Sequence, residues 1–274
     1  FGWETAGRGL IYSGFGPKDL PPSREGVRVR AALTDADLAH VRHVYDRLAP
    51  RYNGMVRRGE RSWEPILAAS REERSQLYLI DAPDGGTPAG YFLATDHPVT
   101  GGYETVIREF LCADAAAYRA LFGFLSALPT NVRTIKLMTP DRPVLWSFFR
   151  EPTVTTSAYP TFQCRVVDVA AACRARGWEE GAAGEVVFAV TDELGPWNSA
   201  TWRLRVDEGR ADIEATTAPP EITMTIQQFS ALFVGCCDPV ESCGLGLLAP
   251  ESTDAARRLS ALFCDRPTAL LDLF

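Results

Sequence analysis

The chain has 274 residues, a formal net charge of −7 and an isoelectric point near 5.1. This acidic balance argues against a nucleic-acid partner, because binding to phosphate backbones requires a basic face. Hydrophobic residues make up 46% of the chain, which is enough to build apolar cores. No apolar run reaches the ~18–20 residues of a membrane-spanning helix, so no span is predicted.

The first segment, residues 1–26, is rich in glycine and proline. This composition predicts a loose linker or the trailing edge of a preceding folded region, with a short strand at 10–12. The chain begins with Phe1 rather than Met, which predicts that processing or truncation removed a preceding segment.

Residues 27–160 predict a layer in which strands alternate with helices. Strands are predicted at 27–30, 77–80, 90–95, 104–111 and 134–138. Thr34, followed three residues later by Asp37, predicts the capped start of a helix. A second helix is predicted to begin near Ser62, with Trp63 on its apolar side.

From about residue 161 the pattern predicts hairpins. Apolar residues and arginines alternate over 202–206, so one face of this strand is expected to be buried and the other solvated. Residues 207–209 predict the turn to the next strand. Asp168 is expected to cap a helix at 169–176. Four or five antiparallel strands covered by helices predict a small α+β domain.

The chain contains seven cysteines, an odd number, and no Cys-x-x-Cys pair. Three of them cluster at 236–243, far in sequence from the three histidines. This pattern favours reduced structural thiols over a metal site, and we expect no metal. Reduced thiols indicate a reducing compartment, so the predicted location is the cytoplasm.

The second half resembles the sterol-carrier-like C-terminal domain of the Eis (enhanced intracellular survival) family of acetyltransferases. The segments that carry this resemblance are FQCRVVDV at 162–169, RGW at 176–178, PWNSATWRL at 196–204, ITMTI at 222–226, SALFVG at 230–235 and LLDLF at 270–274. An aromatic last residue is typical of the family. Residues 27–160 resemble its second GNAT-like domain, and residues 1–16, which end in a Tyr-x-x-Phe-Gly pattern, resemble the end of its first GNAT domain.

The resemblance implies an α+β chain in three segments. Residues 1–26 would be the remnant of the first GNAT domain or a linker. A GNAT-like mixed α/β domain would occupy 27–160, followed at 161–274 by a sterol-carrier-like antiparallel sheet with helices. The implied function is an acetyl-CoA-dependent N-acetyltransferase acting on amines, either aminoglycoside-like small molecules or lysine side chains. The implied assembly is a homo-oligomer, a trimer or hexamer.

In this family the first GNAT domain holds acetyl-CoA, so the resemblance implies a cofactor site before Phe1 and an inactive isolated chain. GNAT enzymes bind the pyrophosphate with an Arg/Gln-x-x-Gly-x-Gly/Ala loop, in which backbone N–H groups at a helix start meet the anion. The sequence contains no such loop. Its nearest glycine pair, Gly244 and Gly246, is interpreted as a turn before Pro250.

Phe274 is the candidate catalytic residue. The resemblance implies that its terminal carboxylate is the general base and that a tyrosine upstream of Phe1 is the acid. A free α-carboxyl group has a pKa of roughly 3.3–3.7, and burial among the tail leucines would raise this pKa toward the range a base needs. The residues alone leave open that the apolar tail only packs to complete a core.

Trp63 is the candidate substrate-binding residue, because the resemblance places a tryptophan of this helix in the substrate cleft. The alternative is a core tryptophan. Trp197 and Trp202 are interpreted as packing residues. Some family members carry an acidic residue just before the last position, where this chain has Leu273, and an extended tail would point Asp272 elsewhere.

A non-enzymatic function stays open beside the acetyltransferase. The sterol-carrier-like domain could bind a lipid or another apolar ligand, which would require an apolar cavity. The chain could also act as an oligomerisation scaffold.

Overall fold

The computed structural model describes residues 2–22, 28–140, 143–150, 154–250, 253–264 and 266–272. The chain divides into two compact units. The large-sheet unit comprises Gly9–Tyr159 together with the end of the chain from Leu271. The small-sheet unit comprises Phe1–Arg8 and Pro160–Leu270, and the division falls within the first and seventh strands.

The large-sheet unit is a mixed sheet with helices on both faces. Its strands are β1 (Glu4–Phe15), β2 (Val29–Ala31), β3 (Ser75–Ile80), β4 (Gly90–Val99), β5 (Gly102–Cys112), β6 (Val132–Pro140) and β7 (Thr155–Cys164). Its α-helices are α1 (Asp35–Leu48), α2 (Glu60–Ala69) and α3 (Ala115–Ser126). The seven strands follow the order β2-β3-β4-β5-β6-β1-β7, and β5 and β6 run parallel.

The two faces of the large sheet pack against different helices, because successive residues of a strand point to opposite sides. Tyr91 and Leu93 of β4 join the apolar cluster of α1 and α2, which includes Val44. Phe92, between them, joins the cluster of α3, which includes Leu121. Leu271 packs against the cluster of α1 and α2, on the first of these faces.

Helix α1 begins where the sequence predicts. The Thr34 hydroxyl accepts a hydrogen bond from the backbone N–H of Asp37 at 3.2 Å, and the Asp37 carboxylate accepts one from the backbone N–H of Thr34 at 3.0 Å. This reciprocal cap confirms the predicted start of α1, because it satisfies amide groups that the helix itself leaves unpaired.

The first strand is longer than predicted. Expected only at 10–12 within a loose segment, β1 runs over Glu4–Phe15. Its glycines lie under aromatic rings of β7: a Cβ at Gly7 would lie 2.3 Å from the Phe162 ring, and one at Gly9 would lie 2.5 Å from the Tyr159 ring. Glycine therefore marks close ring packing in this strand rather than a loop, since glycine in a strand interior often accompanies close approach.

The small-sheet unit contains the second sheet. Its strands are β8 (Gly184–Thr191), β9 (Ala200–Asp207), β10 (Arg210–Ala215), β11 (Ile222–Thr225) and β12 (Ala249–Pro250). Its α-helices are α4 (Val169–Ala175), α5 (Ile226–Phe233), α6 (Pro239–Gly244) and α7 (Thr253–Phe263). The turn between β9 and β10 has Glu208 at φ 44° and Gly209 at φ 73°, the left-handed pair of a tight hairpin.

One feature of the second sheet departs from the predicted antiparallel arrangement. The strand order is β10-β9-β8-β11-β12, and β11 runs parallel to β8, with Ile222 opposite Phe188 and Thr225 opposite Thr191. The chain therefore crosses from the β10 edge to the far side of β8. Alternating burial reports which face of a strand is covered and is the same for parallel and antiparallel neighbours, so the sequence pattern could not distinguish them.

Candidate functional site

A buried arginine joins the end of the chain to the large sheet. Arg58 lies in the loop before α2, and its side chain is 0% exposed. Around it lies a group of side chains from α1, α2, β4, β5 and the chain's end, which we call the tail-anchor cluster. Its members are Tyr45, Arg58, Trp63, Tyr91, Glu109 and Asp272.

The Arg58 guanidinium pairs with two carboxylates. Its Nη1 and Nη2 donate to Glu109 Oε1 and Oε2 at 2.8 and 2.7 Å, a bidentate pair. Its Nε donates to Asp272 Oδ1 at 2.8 Å, and the Asp272 side chain is 10% exposed. Two carboxylates thus share one guanidinium, in the fork geometry that makes arginine suited to such sites.

Aromatic rings enclose the guanidinium. Its central carbon lies 4.1 Å from the centre of the Tyr45 ring and 4.8 Å from that of Trp63. The two rings also meet edge to face, with centroids 5.4 Å apart. Such cation–π contacts strengthen when water is excluded, and together with the ion pairs they hold the guanidinium in one orientation.

Two tyrosine hydroxyls complete the hydrogen bonding. Tyr91 donates to Glu109 Oε1, and Tyr45 donates to the backbone oxygen of Val56 at 2.8 Å. The Tyr45 hydroxyl also lies 3.4 Å from Asp272 Oδ2. Burial is the largest cause that raises the pKa of both phenols, so both remain neutral donors near neutral pH.

Arg58 keeps its proton in this setting. Burial would lower the pKa of Arg58, but the hydrogen bonds and charge of Glu109 outweigh burial and raise this pKa above its ordinary value. The cluster therefore contains a permanent cation, to which the carboxylate of Asp272 is bound.

A β-bulge turns Glu109 toward Arg58. Leu93 of β4 pairs with Glu109, but the next residue, Ala94, pairs with Ile107, so Arg108 is an extra residue in β5. Without the bulge, strict alternation would place Glu109 on the face of Ile107, which packs with α3. The extra residue shifts Glu109 to the opposite face, the one that carries α1, α2 and Arg58.

Of the two predicted site residues, Trp63 is in this cluster. Its side chain is 3% exposed and stacks on Arg58. Phe274 lies outside the described residues, as does Leu273. Asp272, two positions before Phe274, is described, and its carboxylate accepts a hydrogen bond from Arg58.

Sequence reasoning missed the partners of Asp272. A usable signal was present, because Glu109 interrupts the otherwise apolar end of β5 and Tyr91 opens the apolar run of β4. A carboxylate in a buried strand needs a cation, so Glu109 is itself a signal of a nearby arginine or lysine.

In the small-sheet unit, a second buried polar group centres on Asp192. Its carboxylate accepts two contacts of 2.9 Å from Arg165 Nη2 and one of 3.0 Å from Asn198 Nδ2. This group ties Asn198, in the segment 196–204, to Asp192 just after β8. Trp202 packs against the core of this unit as predicted, but Trp197 is 61% exposed, so the packing interpretation of Trp197 was wrong.

Over the ranges that the structure describes, no three His, Cys, Asp or Glu side chains converge as metal ligands would. Within the same ranges, no helix is long and apolar enough to cross a membrane. Gly246 has a φ of 73° in the turn after α6, as interpreted, whereas Gly244 is the last residue of α6 and not part of that turn.

Two family models match the sequence. Residues 54–170 match the acetyltransferase (GNAT) domain, and residues 169–271 match the sterol carrier protein domain. Four members of the tail-anchor cluster, from Arg58 to Glu109, lie in the first match. Asp272 follows the last residue of the second match.

The curated relatives are N-acetyltransferases by name. The chain is 28% identical over 228 residues to an uncharacterised N-acetyltransferase of Streptomyces coelicolor, with 79% of this chain and 54% of the relative covered. It is 30% identical over 230 residues to an uncharacterised N-acetyltransferase of Streptomyces avermitilis, with the same coverage. The chain thus spans about half the length of the curated relatives it matches.

Solved structures share the fold. A GCN5-related N-acetyltransferase from Anabaena variabilis superposes with a TM-score of 0.85 at 19% identity, over 99% of this chain and 69% of that one. Eis1 from Mycobacterium abscessus superposes with a TM-score of 0.76 at 24% identity, over 100% of this chain and 70% of that one. These likenesses confirm the predicted fold class, a GNAT-like mixed α/β fold together with a second sheet domain.

Proposed function

We propose that this chain is part of an acetyl-CoA-dependent N-acetyltransferase that acts on amines, with the carboxylate of Phe274 as the general base. The GNAT match at 54–170 and the relatives' names support an acetyltransferase. The observation that carries the role of Phe274 is the ion pair between Asp272 and Arg58. It ties the end of the chain to the unit that contains most of the GNAT match.

Acetyl transfer to an amine requires a base near the acceptor nitrogen. An ammonium group has no lone pair, so the acceptor must lose a proton before its nitrogen attacks the acetyl carbonyl. The thioester C–S bond then breaks, and CoA leaves as a thiolate that takes a proton from an acid outside this chain. A carboxylate with a raised pKa can take that proton, directly or through one water, and general-base catalysis of this kind contributes roughly 10²–10⁴-fold. In this proposal acetyl-CoA is held by polypeptide outside this chain, and the acceptor is a small-molecule amine or a lysine side chain.

The test uses the intact enzyme that contains this chain, after its mass has shown that Phe274 is its last residue. Deleting Phe274, or adding one glycine after it, displaces the carboxylate by one residue, about 3.5 Å. We expect kcat for acetyl transfer to fall by roughly 10²–10⁴-fold, the contribution of a general base. The matched control Phe274→Leu keeps the carboxylate in place and should retain most of the activity. Unchanged kcat in the deletion variant would rule out the carboxylate as base.

Trp63 is included in the proposal as a substrate-binding residue. Phe at this position keeps an aromatic ring over Arg58 but removes the outer ring of the indole. A raised KM for the amine in Trp63→Phe, with KM for acetyl-CoA unchanged, would support contact with the acceptor. An unchanged amine KM would leave Trp63 with a packing role only.

A second candidate function is the binding of an apolar ligand by the small-sheet unit. The match of residues 169–271 to the sterol carrier protein domain favours it. Organic extraction of the purified protein followed by mass spectrometry would detect a stoichiometric lipid. A trimeric or hexameric assembly, which light scattering after size exclusion would measure, and a cytoplasmic location stay predictions.

A further inference from the structure

We propose that Arg58 and Asp272 form a clamp that positions the end of the chain for acetyl transfer. This inference rests on the proposed function, because the clamp matters for turnover only if the terminal carboxylate takes part in it. Neither residue is proposed to touch the substrate. Both act through the segment that Asp272 anchors.

The charges of the cluster argue for this role. Glu109 already neutralises Arg58 through two hydrogen bonds, so the fold does not need a second carboxylate there. Asp272 nevertheless brings its carboxylate to a site where the side chain is only 10% exposed. Burying an extra charge is unfavourable unless it is paired, and an asparagine or a backbone carbonyl could accept the Nε hydrogen bond. The carboxylate is therefore best explained as a strong attachment point for the chain's end.

The anchor is also rigid. Arg58 is held by Glu109 on one side and lies over the rings of Tyr45 and Trp63. Leu271, the residue before Asp272, packs against the apolar cluster of α1 and α2. Supporting contacts of this kind are what hold a reactive group in a productive geometry.

Chain geometry limits where the anchored end can reach. Two residues of extended chain span at most about 7 Å, so fixing Asp272 confines any group two positions later to a small volume. A free tail would sample a far larger volume. Misplacing a reactive group by about 1 Å can lower a rate 10²-fold, so a limit on how far the chain can reach past Asp272 favours turnover.

The experiment removes the clamp and leaves the Arg58–Glu109 pair intact. Three variants of the intact enzyme are compared: Asp272→Ala, Asp272→Glu, which keeps the charge, and the control Asp254→Ala. Asp254 lies on α7 and pairs with Arg257 at 2.9 Å, both side chains being 69% exposed, so the control also removes one Asp–Arg pair. Each variant is assayed for kcat, for both KM values and for the rate at which carboxypeptidase A releases the terminal residue.

In Asp272→Ala we expect terminal release at least tenfold faster and kcat ten- to hundredfold lower, with KM for acetyl-CoA unchanged. Asp272→Glu should bring both the release rate and kcat part of the way back to the parent values. Asp254→Ala should match the parent in both. Unchanged release in Asp272→Ala would overturn the clamp while leaving the base assignment standing. Faster release with unchanged kcat would overturn the positioning role and, with it, count against Phe274 as base.

Discussion

Arg58 is the only cation within hydrogen-bonding distance of two carboxylates in the tail-anchor cluster, as far as the described residues extend. Its removal leaves Glu109 and Asp272 facing each other without a counter-charge. Removing Glu109 is milder, since Asp272 still neutralises the guanidinium. The two removals differ in cost because one cation neutralises two carboxylates, and not because they break different numbers of hydrogen bonds.

We therefore predict that Arg58→Met lowers the free energy of unfolding by about 3–5 kcal/mol, as expected for a buried pair that loses one partner. Glu109→Gln should lower it by about 1–3 kcal/mol. Urea unfolding followed by tryptophan fluorescence measures both variants. Equal losses would show that the second carboxylate does not share the charge of Arg58.

Asp192 provides a prediction about pH. Burial raises the pKa of Asp192, but hydrogen bonds from Asn198 and Arg165 and from the backbone of Gly195 and Leu194 outweigh burial and lower it. A lowered folded-state pKa stabilises the fold above the unfolded-state pKa, near 3.9, and this stabilisation disappears as pH falls through the folded-state value.

The difference in unfolding free energy between the parent and Asp192→Asn should thus be constant above about pH 5 and shrink below about pH 4. Urea titrations from pH 7 to pH 3 measure it. The exposed pair of Asp254 provides the control, since Asp254→Asn should show only a small difference at any pH. A difference that grows on acidification would contradict the lowered pKa of Asp192.

At the scale of elements, β1 depends on its glycines. A methyl group at Gly9 would lie 2.5 Å from the Tyr159 ring, whereas one at Gly59, before α2, would have no atom within 4 Å. Gly9→Ala should lower the free energy of unfolding by about 1–3 kcal/mol because the ring must shift. Gly59→Ala should change it by less than about 0.5 kcal/mol. Thermal unfolding measures both variants. An unchanged free energy of unfolding in Gly9→Ala would contradict the prediction, because the Tyr159 ring would then shift at no cost.

Structural features formed by residues close in sequence could be predicted, and those formed by distant residues could not. The Thr34 cap and the Glu208–Gly209 hairpin were predictable, because their interactions join residues up to three positions apart. The parallel pairing of β11 was not, and neither was the full length of β1, since both depend on distant neighbours. The candidate site was hidden for the same reason: Arg58 is 51 residues from Glu109 and 214 from Asp272. Only the family resemblance, and no residue pattern, predicted a role for the chain's end.

At the scale of the whole molecule, the large-sheet unit is made from two stretches of chain that lie far apart in sequence. Removing residues 271–274 should therefore loosen α1, α2 and the loop that carries Arg58, and leave the small-sheet unit as it was. Hydrogen exchange with mass spectrometry would show faster exchange in peptides covering 41–66 and unchanged exchange in those covering 184–206. Unchanged exchange over 41–66 together with faster exchange over 184–206 would contradict this prediction.

Arg58 and Asp272 are 214 residues apart in sequence, so they are synthesised at different times. At ribosomal rates of about 5–20 residues per second, Asp272 is synthesised roughly 10–40 s after Arg58. Glu109 follows Arg58 after 51 residues, so for most of that interval these two residues can pair without Asp272. A message cut short just before Asp272 would therefore yield a chain that keeps the Arg58–Glu109 pair but lacks the ion pair between Arg58 and Asp272.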